Sequence, residues 1–159
     1  MSRVTHDLVY DGATVDQVVA MLMTPAFREA VCDAQTHMLG REVTIDGNRV
    51  TVDQRQDADN IPSFAKKFVG AELRIVQAEE WTTPTHGDIH VTIPGKPGDI
   101  RGTADVRQDG DRVVETVVLD VEVKIPLVGG KIAGLIGDKL KRTLEVEERT
   151  GRTWLAERR

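Results

Sequence analysis

The sequence predicts an α+β fold: a curved antiparallel sheet of about seven strands, two short helices near its start and a long amphipathic helix at its end. Three observations carry this expectation. Apolar residues alternate along residues 3–10 and again from about 39 to 125, with turn residues between the runs. Two short stretches between Thr14 and Ala34 switch to a helical period. After Ile125-Pro126 the helical period returns and persists. A chain of 159 residues, 40% hydrophobic and 30% charged, has ordinary globular composition. It is long enough for a single domain, expected over 1–159, to bury a core without metals or disulfides.

Val4, His6, Leu8 and Tyr10 share one face of the first strand, and Asp11-Gly12 ends it. Thr14 is placed to cap a short helix, with Gln17 completing a capping box and Val15, Val18, Val19 and Leu22 on its apolar side. Thr24-Pro25 starts a second helix, lined by Ala26, Phe27, Ala30 and Val31 and ending near Ala34. Leu39, Val43 and Ile45 then alternate, and Asp46-Gly47-Asn48 turns the chain into Val50 and Val52. Residues 61–70 form a connector with room for one helical turn. Strand character over 72–83 puts Leu73, Ile75 and Trp81 on one face, and Pro84-Thr85 leads into Ile89, Val91 and Ile93. Pro94-Gly95-Lys96-Pro97-Gly98 is a turn-rich loop. Gly102, Ala104 and Val106 run to the Asp109-Gly110-Asp111 turn. Val113, Val117, Leu119, Val121, Val123 and Ile125 mark one face of the last strand. Thr116, Asp120, Glu122 and Lys124 on the other face indicate a sheet wet on one side.

The final helix is predicted from about Lys131 to Glu157, about 40 Å at 1.5 Å per residue. Ile132, Leu135, Ile136, Leu140, Leu144 and Trp154 fall in one arc, joined by Ala133, Thr143 and Val146. Lys131, Asp138, Lys141, Arg142, Glu145, Glu148, Arg149 and Arg152 take the other side. Gly134 and Gly137 interrupt the helix, each costing about 1 kcal/mol relative to alanine. They imply either close backbone packing or space left for a ligand. Glu147 falls near the middle of the apolar arc, where a carboxylate must be hydrogen-bonded, ion-paired, protonated or beyond the sheet's edge.

Several function classes are excluded or disfavoured. A net charge of −5 argues against nucleic acid, and Lys66-Lys67 and Lys139-Leu140-Lys141-Arg142 read as solvated faces. Cys32 stands alone, so neither an internal disulfide nor a thiolate metal cluster can form. No apolar run approaches the roughly 20 residues of a membrane span and no signal-peptide pattern opens the chain, so a cytoplasmic protein is expected. His86, Asp88 and His90 share a strand face, but the two histidines lie about 13 Å apart, too far for one ion. Ile89, Val91 and Ile93 should take the inward face, leaving the histidines in solvent. No phosphate loop, His-Glu-x-x-His pattern or nucleophile triad occurs, so no metal, cofactor or catalytic residue is assigned.

The order strand, two short helices, six strands and long helix resembles the START-like helix-grip fold, the birch-pollen-allergen-like or SRPBCC superfamily. The segment Val123-Lys124-Ile125-Pro126-Leu127-Val128-Gly129-Gly130-Lys131-Ile132, with Trp154-Leu155, resembles an uncharacterised actinobacterial family of that superfamily. The resemblance implies a cavity between sheet and terminal helix for lipids, sterols, polyketides or other apolar ligands. On that expectation Tyr10, Arg41, Leu73, Ile75, Val91, Ala104, Glu115, Val117, Leu119, Ile132, Ile136, Leu140 and Glu147 contact the ligand. Arg41 would anchor an anionic head group, and Tyr10 or His6 a neutral oxygen, with Gln77 and Glu79 as further inward polar groups. The expected function is a non-enzymatic binder or carrier of a hydrophobic small molecule. The alternatives are a cyclase-like enzyme using His6, Tyr10 and Glu115, or a partner-binding module whose core is filled and whose docking patch lies around Pro62–Phe68.

Overall fold

The computed structural model describes residues 2–59 and 61–158. The order is β1 (Ser2–Asp11), α1 (Val15–Leu22), α2 (Pro25–Asp33), β2 (Met38–Asp46), β3 (Arg49–Asp57), α3 (Ser63–Val69), β4 (Glu72–Thr83), β5 (His86–Thr92), β6 (Gly98–Asp109), β7 (Arg112–Val123) and α4 (Gly129–Glu157). All seven strands join one antiparallel sheet in the order β1-β7-β6-β5-β4-β3-β2. Five neighbours are hairpins or simple returns. The sixth pairing brings β1 across to β7, with Val4 opposite Leu119 and Leu8 opposite Glu115.

Local chemistry explains most boundaries. Thr14 and Gln17 exchange both capping-box bonds at the start of α1. Pro25 occupies the first turn of α2, but the Thr24 hydroxyl donates back to the Ala20 carbonyl instead of capping. Gly47, at φ 59°, makes the tight turn between β2 and β3. The 61–70 connector holds a full seven-residue helix, α3, and α4 begins two residues before the expected Lys131. Leu39 is 48% exposed, because the pairing of β2 with β3 slips between Met38 and Gly40 and breaks the alternation there. No helix among the described residues is long and apolar enough to cross a membrane.

The main core lies on the concave face, where Leu8, Val50, Val91, Val113 and Val121 meet Val18, Leu22 and Phe27 of α1 and α2. Phe27 packs edge-on to Trp154 with ring centroids 5.6 Å apart, joining α2 to α4. A second apolar cluster of Ala58, Val69, Leu73 and Ile93 sits beside α3.

Packing of α4 is uneven across the sheet. Its main partners are β1 and β7, at one end of the strand order. Ala133, Gly137 and Gly151 are buried on that side. A Cβ at Gly137 would lie 3.0 Å from Ser2 Oγ, and one at Gly151 would lie 2.6 Å from the Tyr10 ring. These glycines permit close backbone approach. A Cβ at Gly134, by contrast, meets nothing within 4 Å. Gly134→Ala should therefore raise stability by about 0.5–1 kcal/mol through helix propensity alone. Gly151→Ala should lower it by about 1–3 kcal/mol through overpacking on Tyr10. Urea unfolding of the two variants checks both signs.

Candidate functional site: a buried acid cluster and a cavity beside the long helix

Two polar regions flank the apolar interior. The deeper one is built around Arg28, which shares the buried face of α2 with Phe27, Val31 and Cys32. Its Nη1 and Nη2 donate to the two carboxylate oxygens of Glu79 on β4, each at 2.8 Å, and its Nε donates to the Leu22 carbonyl at 2.7 Å. Both side chains are almost wholly buried. The Glu79 carboxylate also accepts from Trp81 Nε1 at 2.9 Å and from Gln77 Nε2. Burial opposes its charge, but Arg28 and these donors prevail and hold the carboxyl below its ordinary value.

Two further carboxyl groups have no such support. Glu115 on β7 and Glu147 on α4 line a void of about 20 Å³ together with Arg28, Gln77, Glu79, Ala104 and Leu119. Glu115 Oε1 is buried without a hydrogen-bond partner. Burial, reinforced by Glu147, pushes the Glu115 carboxyl well above the usual range. Burial also raises Glu147 to about 7, with Arg28 pulling it down and Glu79 pushing it up. One fixed cation cannot hold three ionised carboxylates in a dry interior, so this pair retains proton at neutral pH. The Tyr10 hydroxyl is likewise buried and unpartnered, and burial raises its phenol further above neutrality. His6 does not join them: its Nε2 faces Glu148 Oε1 at 3.0 Å, and Glu148 also accepts from the Val9 amide and Arg152.

The larger space is a cavity of about 470 Å³ bounded by the α2–β2 connection, the ends of β3 and β4, α3 and one flank of α4. Ile61, Ala65, Phe68, Val69, Leu73 and Ile93 form its apolar floor. The helix supplies Ile132, Leu135, Ile136, Lys139, Arg142, Thr143, Val146 and Arg149, spaced three and four residues apart. His37, Gln56 and Asp57 complete the polar part of the wall.

Of the residues expected to contact a ligand, Leu73, Ile132 and Ile136 line this cavity, while Ala104, Glu115, Val117, Leu119 and Glu147 line the small void. Val91 and Tyr10 are buried in the core; Ile75 and Leu140 are half-buried against it. Arg41 stands apart from both spaces. Its guanidinium binds Asp33 through two nitrogens at 3.1 Å and Glu29 at 2.9 Å, so the expected anchor is a bridge between β2 and α2. Lys139, Arg142 and Arg149 also border this cavity; Arg142 and Arg149 are exposed, as expected, and Lys139 is half-buried. Arg28, Phe68 and Ile93 were not expected at a site; for Arg28 the available signal was its place among Phe27, Val31 and Cys32 on one helix face. His86 faces Asp105 and Asp88, and His90 faces Asp99, on the expected outer face. Among the described residues no group of three potential ligands could hold a metal.

The raised Glu147 carboxyl has a consequence with a definite sign. Below about 4.5 both folded and unfolded chains carry the proton, so Glu147 has no effect on stability there. Between 4.5 and about 7 the unfolded chain releases it while the folded chain retains it, so stability falls as pH rises. Glu147→Gln should remove this fall and exceed the native chain in stability by about 1–3 kcal/mol at pH 8, but not at pH 4. Arg28→Met should instead cost about 3–5 kcal/mol at neutral pH by stranding Glu79. Denaturant unfolding across that pH range measures both.

Comparison with known proteins supports the same architecture. Residues 5–155 match the model of a family described as protein of unknown function (DUF2505). Uncharacterised proteins of Mycobacterium tuberculosis and Mycobacterium bovis, among them Rv0481c, are 27% identical over 104 residues, which is 60% of this chain and 59% of theirs. The aligned stretch thus spans about three-fifths of these relatives' length. Among solved structures, the di-domain ARO/CYC StfQ from the steffimycin biosynthetic pathway superposes with a TM-score of 0.68 at 11% identity, covering 98% of this chain and 52% of that one. Norcoclaurine synthase from Thalictrum flavum gives 0.64 at 15% identity, covering 98% and 87%. A START superfamily protein from Mycobacterium smegmatis gives 0.62 at 14% identity, covering 96% and 98%. At these identities the likeness concerns the fold. The match over residues 5–155, on a START-like frame of seven strands and a long terminal helix, makes this chain a member of the DUF2505 family.

Proposed function

We propose that this chain binds or carries a hydrophobic small molecule in the cavity beside α4. The observation that supports this reading is the cavity itself: about 470 Å³, with a floor of aliphatic and aromatic side chains and polar groups from α4 and from His37, Gln56 and Asp57. That size lies within the roughly 300–1,000 Å³ of small-molecule sites. The acid–base reading has a weaker footing, because the void between Glu115 and Glu147 is about 20 Å³, room for a water molecule and not for a substrate.

Ile136 offers a direct test, since it lines the cavity and touches both apolar clusters. Solvent extraction of natively purified protein, followed by mass spectrometry, should recover an apolar compound reproducibly. Ile136→Trp should reduce its recovery at least about tenfold while the chain still unfolds cooperatively, since overpacking costs about 1–3 kcal/mol. Native protein that carries nothing and fails to bind a neutral apolar fluorophore would contradict the reading.

A further inference from the structure

We propose that the ligand is an anionic amphiphile, an apolar body ending in a carboxylate or phosphate monoester, whose head group is held by Lys139, Arg142 and Arg149. This rests on the binding reading above and adds the chemistry of the head group.

The three cations stand on one flank of α4, at intervals of three and seven residues, and all three line the cavity. Arg142 and Arg149 are exposed at its rim, and their lack of partners sets these two arginines apart. Every other described arginine is ion-paired or hydrogen-bonded to a side chain, from Arg3 on Asp120 to Arg158 on Glu157. Arg142 and Arg149 have no ion pair or hydrogen bond among the described residues, in a chain whose net charge is −5. Lys139 makes no ion pair either. Burial and the like charge of Arg142 lower its affinity for the proton, with Asp57 acting in the opposite sense.

Among the described residues Asp57 is the single carboxylate on the cavity wall, and it already faces His37 Nδ1 at 3.3 Å. The wall therefore keeps an excess of positive charge. Like charges three residues apart disfavour a helix, and an anion between them reverses the sign of that interaction. Phe68, Val69, Leu73 and Ile93 of the same cavity offer apolar surface. A ligand matching both features has a charged head and an apolar body. Hydrogen bonds from ionised donors to an oxyanion are about twice as strong as neutral ones, so the charged ligand should be preferred over its neutral analogue.

Competition against the neutral fluorophore aminoanthracene tests this with the full chain, freed of bound lipid. Decanoate, decyl phosphate and decanol share one apolar body and differ in the head. Decanoate or decyl phosphate should displace the fluorophore at concentrations at least about tenfold below decanol, and the better of the two identifies the head group. In Lys139→Met/Arg142→Gln/Arg149→Gln that advantage should fall to about twofold or less, with decanol unchanged. Raising the salt should narrow it in the native chain only. Equal displacement by decanol and both anions would overturn the anionic head group and leave the cavity reading intact. An anion preference that survives the triple substitution would overturn its location. If neither the fluorophore nor any of the three compounds binds, the binding function falls and the head-group assignment with it.

Discussion

The close seating of α4 on β1 and β7 is the constraint on which the rest of this molecule depends. Glycines at 137 and 151 let the helix approach β1 to the point where a Cβ would crowd Ser2 or collide with Tyr10. A helix held that near one end of a curved sheet stands off from the other end. Side chains on its second flank, Ile132, Leu135 and Ile136, then face the ends of β3 and β4 across a gap, and α3 borders it. The gap, about 470 Å³, opens to solvent past the exposed Pro62, Arg142 and Arg149. It follows from where the glycines are.

The same helix separates two kinds of polar chemistry. Inside, one bidentate ion pair between α2 and β4 satisfies Arg28 and Glu79, while burial raises the carboxyls of Glu115 and Glu147, Glu147 to about 7. That arrangement trades stability for a polar centre in the core. Two residues of α4 only five positions apart thus stand in different surroundings: burial pushes Glu147 toward neutrality, whereas Arg142 is exposed at the cavity rim. Charge at the wall and neutrality in the centre suit a ligand whose head stays near solvent while its body displaces little but apolar contacts.

Periodicity carried most of the architecture, and its failures have local causes. Alternation in β6 and β7, the capping box at Thr14 and the long apolar arc of α4 are all written in short-range spacing. Glu147 was visible as an anomaly for the same reason: a carboxylate on an apolar arc. Arg28 was not, because its partner Glu79 lies 51 residues away and one charge on a short helix resembles any solvated side chain. Arg41 has the parity expected of an inward residue, but β2 is an edge strand with a register slip, and Asp33 and Glu29 sit close enough to hold it. Arg142 and Arg149 are exposed as their helical positions imply, but the place of Lys139, Arg142 and Arg149 beside the cavity was not legible, because a helical arc drawn for one contact surface has only an inside and an outside. This helix has a third side, the cavity flank, which depends on how far the sheet curves away and is not encoded in spacing.

A ligand held in the gap beside α4 must perturb the side chains that line it and spare those packed elsewhere. Isoleucine methyl NMR during titration with aminoanthracene tests this most directly, because isoleucines mark both the gap and the packed core. The methyls of Ile61, Ile93, Ile132 and Ile136 line the gap and should shift together to saturation. Those of Ile89 and Ile100, buried in the main core, should stay in place. Saturating probe that leaves the first four unmoved, or moves the core isoleucines instead, would contradict the account.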